Sequence, residues 1–310
     1  MMSYTLRRLA GLIPTLILIV TASFLILRLA PGGPFDQEQR LPPQVRANLE
    51  RAYGLDQPLT QQYLHYLAGL AHGDLGLSLR EADFTVGELV RQGLPVSATL
   101  GVAALILAVI LGVGLGIAAA LWQGRAAAAL IAGGSALALA LPAFVTGPVL
   151  VLVFALHLKW LPAGGWAAPP GAYLVLPALT LALPLAAALA RMTRASLLEV
   201  LRLPYIRAAR ARGLGGVRIL VRHALPPALV PVVSYLGPAF AFIVTGSLVV
   251  ETVFGLPGTG RYLVQGAIDR DYPLVMGMIV IYAVLTLAGN FVADLLHGLL
   301  DPLVRTAEPP

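Results

Sequence analysis

Asn290, Asp294 and His297 recur at roughly helical spacing. Inside a membrane, such a row could relay a proton. It stands at the end of an apolar run, where polar side chains serve as an interfacial anchor, and position favours that role. A metal centre needs more ligands: only His297 and Asp294 are close, while His65, His72, His157 and His223 are scattered. Cysteine is absent, which excludes a disulfide framework, a thiolate metal site and a Cys nucleophile. Lys159 is the only lysine, and no Gly-Lys-Ser/Thr phosphate loop can be built around it. No Ser, His and acid set is aligned for hydrolysis. Two features remain. Glu251 ends an apolar run just before Phe254-Gly255-Leu256-Pro257-Gly258-Thr259-Gly260, and eight arginines crowd between Arg191 and Arg222.

The elements that must hold these residues are membrane helices. Of 310 residues, 58% are hydrophobic and 12% charged. That charged share is about half the roughly 25% of a soluble protein. Mean hydropathy is +0.83. A bilayer-spanning helix takes about 20 mostly apolar residues. Six runs qualify: 9–27, 95–121, 130–158, 173–190, 225–250 and 274–300. Helices satisfy their own backbone hydrogen bonds, as lipid demands, so the expected fold is an all-α integral membrane protein. Prolines inside the third, fourth and fifth runs predict kinks or breaks. The first run follows Arg7 and Arg8 but is longer than a signal-peptide core, and no small-x-small site clearly follows it, so it reads as a retained span.

Arginine placement sets the orientation. With both termini inside, the inner segments carry twelve arginines, and the short outer loops carry only Lys159, Arg261 and Arg270. The net charge of +6 therefore marks a cytoplasmic face, not a nucleic-acid surface. The chain divides into residues 1–30 with the first span, an outer segment 31–94, and a five-helix core 95–310 with a cytoplasmic loop at 191–226. The outer segment is too long and patterned for a bare linker. Pro42-Pro43 predicts a helix through Tyr53 that stops at Gly54, and Pro58 predicts another to about Ala71. This reads as an amphipathic cap on the bundle, a role compatible with docking an extracytoplasmic partner.

Within the loop, Pro204 suits the first position of a helix. Tyr205 to Arg212 continue it, and Gly213, Gly215 and Gly216 stop it. Two turns are marginal alone, so this helix needs something to dock against. Tyr205, Ala208 and Ala209 are expected on one face and Arg207 and Arg210 on another. At Glu251, a carboxylate at a membrane boundary is costly and suggests a defined partner or a wet cavity, and the glycines and Pro257 permit an irregular or re-entrant turn. Glu251, Phe254, Gly255, Pro257, Gly258 and Gly260 thus form an expected outer gate; a helix cap plus a turn at the lipid interface is the plainer alternative. Gly112 and Gly116 have small-xxx-small spacing suited to close helix packing, a common pattern in such spans.

Ala208-Ala209, three residues, Gly213, then nine residues to His223-Ala224-Leu225-Pro226 resembles the EAA loop of ABC-importer permeases. Arg207 stands at the family's Glu and His223 at its Ile, and both departures resemble the peptide-importer branch. Leu6-Arg7-Arg8, Ile13-Pro14-Thr15, Arg28-Leu29-Ala30-Pro31-Gly32, Trp160 to Trp166, Glu251 to Gly260 and Asp301-Pro302-Leu303-Val304-Arg305 extend the resemblance along the chain, to the oligopeptide permease B subunits. The resemblance implies a type I ABC importer permease fold with a cytoplasmic coupling helix, in a bacterial inner membrane. It implies a second homologous permease, two cytoplasmic ATPases and an extracytoplasmic peptide-binding protein as partners. ATP and Mg would bind those ATPases, with no cofactor on this chain. ATPase coupling would fall to Tyr205, Ile206, Arg207, Ala208, Ala209, Arg210, Arg212 and Gly213, and the loop-to-helix motif to His223, Leu225 and Pro226. Dipeptides, nickel chelates or another small solute are alternative cargoes, and a proton-coupled secondary transporter is an alternative class.

Overall fold

The computed structural model describes residues 2–30, 32–35, 42–81 and 83–300. The motif residues Pro31 and Asp301 to Arg305 lie outside this set, as do the side chains of Arg7, Arg8 and His297. Among the described residues the regular structure is helical, apart from one antiparallel bridge between Leu77 and Thr85. In chain order the helices are α1 (Met2–Leu29), α2 (Pro43–Ala52), α3 (Leu59–Ala71), α4 (Val86–Leu121), α5 (Ala126–Ala140), α6 (Ala143–Leu150), α7 (Val175–Val200), α8 (Pro204–Ala211), α9 (Gly216–Ile219), α10 (Leu225–Phe254), α11 (Thr259–Ile268) and α12 (Tyr272–Leu300).

Five helical stretches are long and apolar enough to cross a membrane: Gly11–Leu29, Val86–Leu121, Gly171–Val200, Gly216–Ala241 and Tyr272–Leu295. The run expected as a third span is not one straight helix. Ala126–Ala140 and Ala143–His157 meet at 112°, so six spans are reached only if this bent pair counts as one. The cause is local. Leu141 precedes Pro142 and is extended, with φ −87 and ψ 120, because a proline ring excludes the helical region for the residue before it. Elsewhere the helices run on through their prolines: Pro184 lies inside a continuous α7, and Pro231 and Pro238 inside a continuous α10.

Two compact units emerge. One comprises Ala10–Ser97 and Pro257–Val284. Here α2 and α3 start and stop where the prolines and Gly54 (φ +64) predict. Helix α3 packs on α1 and α12. Tyr63, Tyr66, Leu67 and Leu70 pack on Leu16 to Leu27 of α1 and on Met276 and Val280 of α12. The Tyr63 and Thr21 hydroxyls share a hydrogen bond of 2.5 Å. Burial pushes the Tyr66 hydroxyl up to about 12, so it stays neutral at working pH.

Asp271 pins this unit together. Its side chain is fully buried. One carboxylate oxygen accepts the Leu274 N–H of α12 at 3.0 Å, a helix N-cap contact. The other accepts the Ser78 hydroxyl and the Leu79 and Arg80 N–H groups at 2.5, 2.9 and 3.2 Å. Removing the carboxylate strands several buried donors at once. Asp271→Ala is expected to cost about 2–4 kcal/mol, read as a drop in the unfolding midpoint of the purified subunit. Asp271→Asn, which keeps one acceptor oxygen, should lose less.

The other unit is built on Ala98–Leu256 and the two chain ends. In it α7 packs against α10 and α5. Helices α4 and α7 touch at glycines: a Cβ on Gly112 would stand 2.6 Å from the Leu189 Cβ, and one on Gly116 2.7 Å from the Ala190 carbonyl oxygen. Asn290 of α12 packs against Gly237 of α10, where a Cβ would meet its Oδ1 at 2.7 Å.

Candidate coupling site

Helix α7 does not end at Ala190, where the apolar run stops, but runs on to Val200. Chain direction then reverses through α8 and returns along α9 into α10. The turn closes through Leu203 N–H to the Val200 carbonyl, and Pro204 opens α8 as expected. Between the descending and returning helices sits a small apolar knot: Leu197, Val200, Ile219, Ala224 and Ala228, with Ala120 from α4. Ile206 and Ala209 of α8 fill it, Ile206 being fully buried. Burying one such side chain contributes about 2–3 kcal/mol, which is what stabilises a helix too short to persist alone.

The expected face is therefore redrawn. Ala208 and Ala209 do not share a side: Ala209 lies with Ile206 in the chain's own core, while Tyr205, Arg207, Ala208, Arg210 and Arg212 are exposed. Spacing explains it, since positions 206 and 209 are three apart and share the side facing the knot. Among the described residues, Arg207, Arg210 and Arg212 have no ion-pair partner.

The C-terminal end of α8 is a Schellman motif. Gly213 N–H bonds the Arg210 carbonyl at 2.9 Å, and Leu214 N–H reaches the Ala209 carbonyl at 3.3 Å. Gly213 has φ +77, a conformation that costs an L-residue about 1–2 kcal/mol. Leu214 packs back onto the knot. On the return, Leu220–Ala224 widens into a π-turn in which Leu225 N–H bonds Leu220, five residues earlier. His223 and Leu225 are half-buried there and Pro226 is exposed. The Tyr205 hydroxyl donates to the His223 carbonyl at 3.2 Å, joining the two halves of the motif. Sequence reading grouped Tyr205 with Ala208 and Ala209 on one face and missed this bond. It also missed the anchors Leu197, Ile219 and Ala224: positions 219 and 224 are five apart, a spacing that only the π-turn between them brings to one side.

The expected gate residues span the end of α10 and the start of α11, with Gly255 to Gly258 outside both helices. Helix α10 ends in a second Schellman motif, with Gly255 at φ +64, Gly255 N–H to the Thr252 carbonyl at 3.3 Å and Leu256 N–H to the Glu251 carbonyl at 2.8 Å. Glu251 and Phe254 are buried. The 160–166 loop clasps this cap: Gly165 N–H bonds the Phe254 carbonyl at 2.8 Å, and a Cβ on Gly164 would stand 2.5 Å from that oxygen. Pro257, Gly258 and Gly260 belong to the other unit and lead into α11, where Thr259 N–H bonds the Ser97 hydroxyl at 2.9 Å.

Helix α8 is thus a short helix held outward on a return loop by its own apolar anchors. Sequence comparison identifies the family. Residues 112–306 match the family described as binding-protein-dependent transport system inner membrane component, and residues 1–85 match the N-terminal model of such membrane components. The chain belongs to this permease family. It is a transport component of the inner membrane, not an enzyme, and its family implies ATPase and substrate-binding partners. Similar proteins include the oligopeptide transport system permease OppB of Salmonella typhimurium, 48% identical over 98% of this chain and 100% of the relative. OppB of Haemophilus influenzae is 45% identical over the same shares. The dipeptide permease DppB of Bacillus subtilis is 39% identical over 98% of each chain. Among solved structures, the inward-facing MetNI methionine ABC transporter matches with a TM-score of 0.57 at 18% identity, over 69% of this chain and 96% of that one. This permease therefore shares the fold of an ABC transporter's membrane chain.

Proposed function

We propose that this permease forms half of the translocation pathway of an ATP-driven, binding-protein-dependent oligopeptide importer. It works by alternating access, with six spans and both termini in the cytoplasm. A second homologous permease supplies the other half of the pathway. Two cytoplasmic ATPases and an extracytoplasmic peptide-binding protein complete the complex. The observation that carries this reading is α8, anchored inward by Ile206 and Ala209 and presenting Tyr205, Arg207, Ala208, Arg210 and Arg212. That outward face docks in a groove of an ATPase, and closure of the ATPase pair moves α8 and the knot above it as a rigid lever. Glu251, Phe254, Gly255, Pro257, Gly258 and Gly260 serve the outer gate. ATP and Mg bind the ATPases, and this chain carries no cofactor. The OppB relatives favour oligopeptides over the dipeptides of DppB as cargo.

Uptake of a labelled tetra- or pentapeptide into proteoliposomes tests the proposal. They hold this chain with its partner permease, ATPases and binding protein, and a control omits this chain. Uptake that requires this chain, ATP and the binding protein is expected. Stimulation of ATP hydrolysis by another loaded binding protein, without peptide uptake, would move the cargo. Uptake driven by a proton gradient without ATP would overturn the mechanism.

A further inference from the structure

Proline 227 creates a gap in the returning helix. In an α-helix each N–H bonds the carbonyl four residues back, so the natural donor to the His223 carbonyl is residue 227. Pro227 has no N–H to give. Pro226 does the same to the Arg222 carbonyl, and the ladder widens into the π-turn at Leu220–Ala224. Into this opening comes a side chain from eighteen residues earlier: the Tyr205 hydroxyl, donating to the His223 carbonyl at 3.2 Å.

We infer that Tyr205 is a positioning residue for coupling, tying α8 to α10 through the carbonyl that Pro227 leaves without its helical donor. The inference rests on the proposed docking of α8 but goes beyond it. Ile206 and Ala209 hold α8 by apolar contact, which fixes distance but allows sliding. A hydrogen bond at the first turn of α8 fixes its direction relative to α10. Rotation of α8 by an ATPase then pulls on the span rather than slipping across the knot. Tyr205 is half of a matched pair, and Pro227 is the other half.

The pairing makes a test that a merely structural tyrosine would not pass. In the reconstituted complex, peptide transported per ATP hydrolysed is measured for Tyr205→Phe, Pro227→Ala and the double variant. Tyr205→Phe keeps the ring and removes only the hydroxyl. It should lower transport per ATP by about two- to tenfold, the range of one neutral hydrogen bond. Pro227→Ala restores an N–H below the His223 carbonyl, so in that background Tyr205→Phe should change the ratio by less than about 1.5-fold. An equal loss in both backgrounds, or none in either, overturns the inference. Should Pro227→Ala fail to assemble, hydrogen exchange at the 205–212 amides decides. Faster exchange in Tyr205→Phe supports the tie, and unchanged exchange overturns it. Ala208→Trp separates this from the reading beneath it. If that variant transports normally, the docking of α8 itself is wrong. If it is inactive while Tyr205→Phe is normal, only the tie falls.

Discussion

Gly116→Leu should leave almost no folded permease, whereas Gly114→Leu, two residues away, should be tolerated. A Cβ at Gly116 would lie 2.6 Å from the Thr193 Cβ and 2.7 Å from the Ala190 carbonyl oxygen. The second of these is backbone in the middle of α7, which cannot turn aside as a long side chain can. A leucine adds three further carbons beyond that point. Overpacking of a few methylenes already costs about 1–3 kcal/mol, and here the two helices must separate. Gly112→Leu meets the Leu189 Cβ at 2.6 Å and the Ala186 carbonyl oxygen at 2.8 Å and should fail in the same way. Gly114 has nothing within 4 Å, so its substitution should stay within about 0.5 kcal/mol. Monodispersity and thermal unfolding of the detergent-purified subunit read all three. Equal behaviour of Gly114→Leu and Gly116→Leu would show that α4 and α7 do not meet at these glycines.

The second large effect separates two adjacent alanines. Ala208→Trp should fold and insert normally, yet uptake and binding-protein-stimulated ATP hydrolysis should fall together by roughly 30-fold or more, the scale of a lost interface hot spot of about 2 kcal/mol. Ala209→Trp should instead damage the chain itself. Ala209 sits with the fully buried Ile206, Leu197 and Ala224, and an indole has no room there. Its loss should appear as a lower unfolding midpoint before any partner is added. Were both variants to fold equally well and fail equally in transport, the inward assignment of Ala209 would be wrong.

The difference between those alanines shows where sequence reading stops. The bounds of α8 were legible because they are local: Pro204 suits a first helical turn, and Gly213 alone tolerates φ +77 without strain. Which side of α8 faces inward was not local. It depends on Leu197 and Ile219, which reach the helix from opposite directions along the chain. The three glycines of Gly112-Val-Gly-Leu-Gly116 likewise look alike in sequence. Only the approach of α7 distinguishes the two that cannot carry a side chain from the one that can. The gate expectation followed the glycines and Pro257. Those residues are local signals for a helix end and a turn, and two backbone hydrogen bonds to Glu251 and Thr252 close α10 just there.

By itself the sequence determined the class of the molecule and its punctuation. Lipid leaves a backbone little choice, so long apolar runs become helices whatever surrounds them. Proline and glycine act on their own peptide units, so the starts and stops of α2, α3 and α8 could be read directly. Tertiary structure decided what depends on partners distant in sequence. Asp271 fastens α12 to Ser78, Leu79 and Arg80, more than 190 positions earlier. The 112° bend expresses Pro142 fully, whereas Pro184, Pro231 and Pro238 pass within unbroken helices. The physical reason is common to all of them: a buried polar group or a proline sets a demand locally, but only packing determines which neighbour satisfies it.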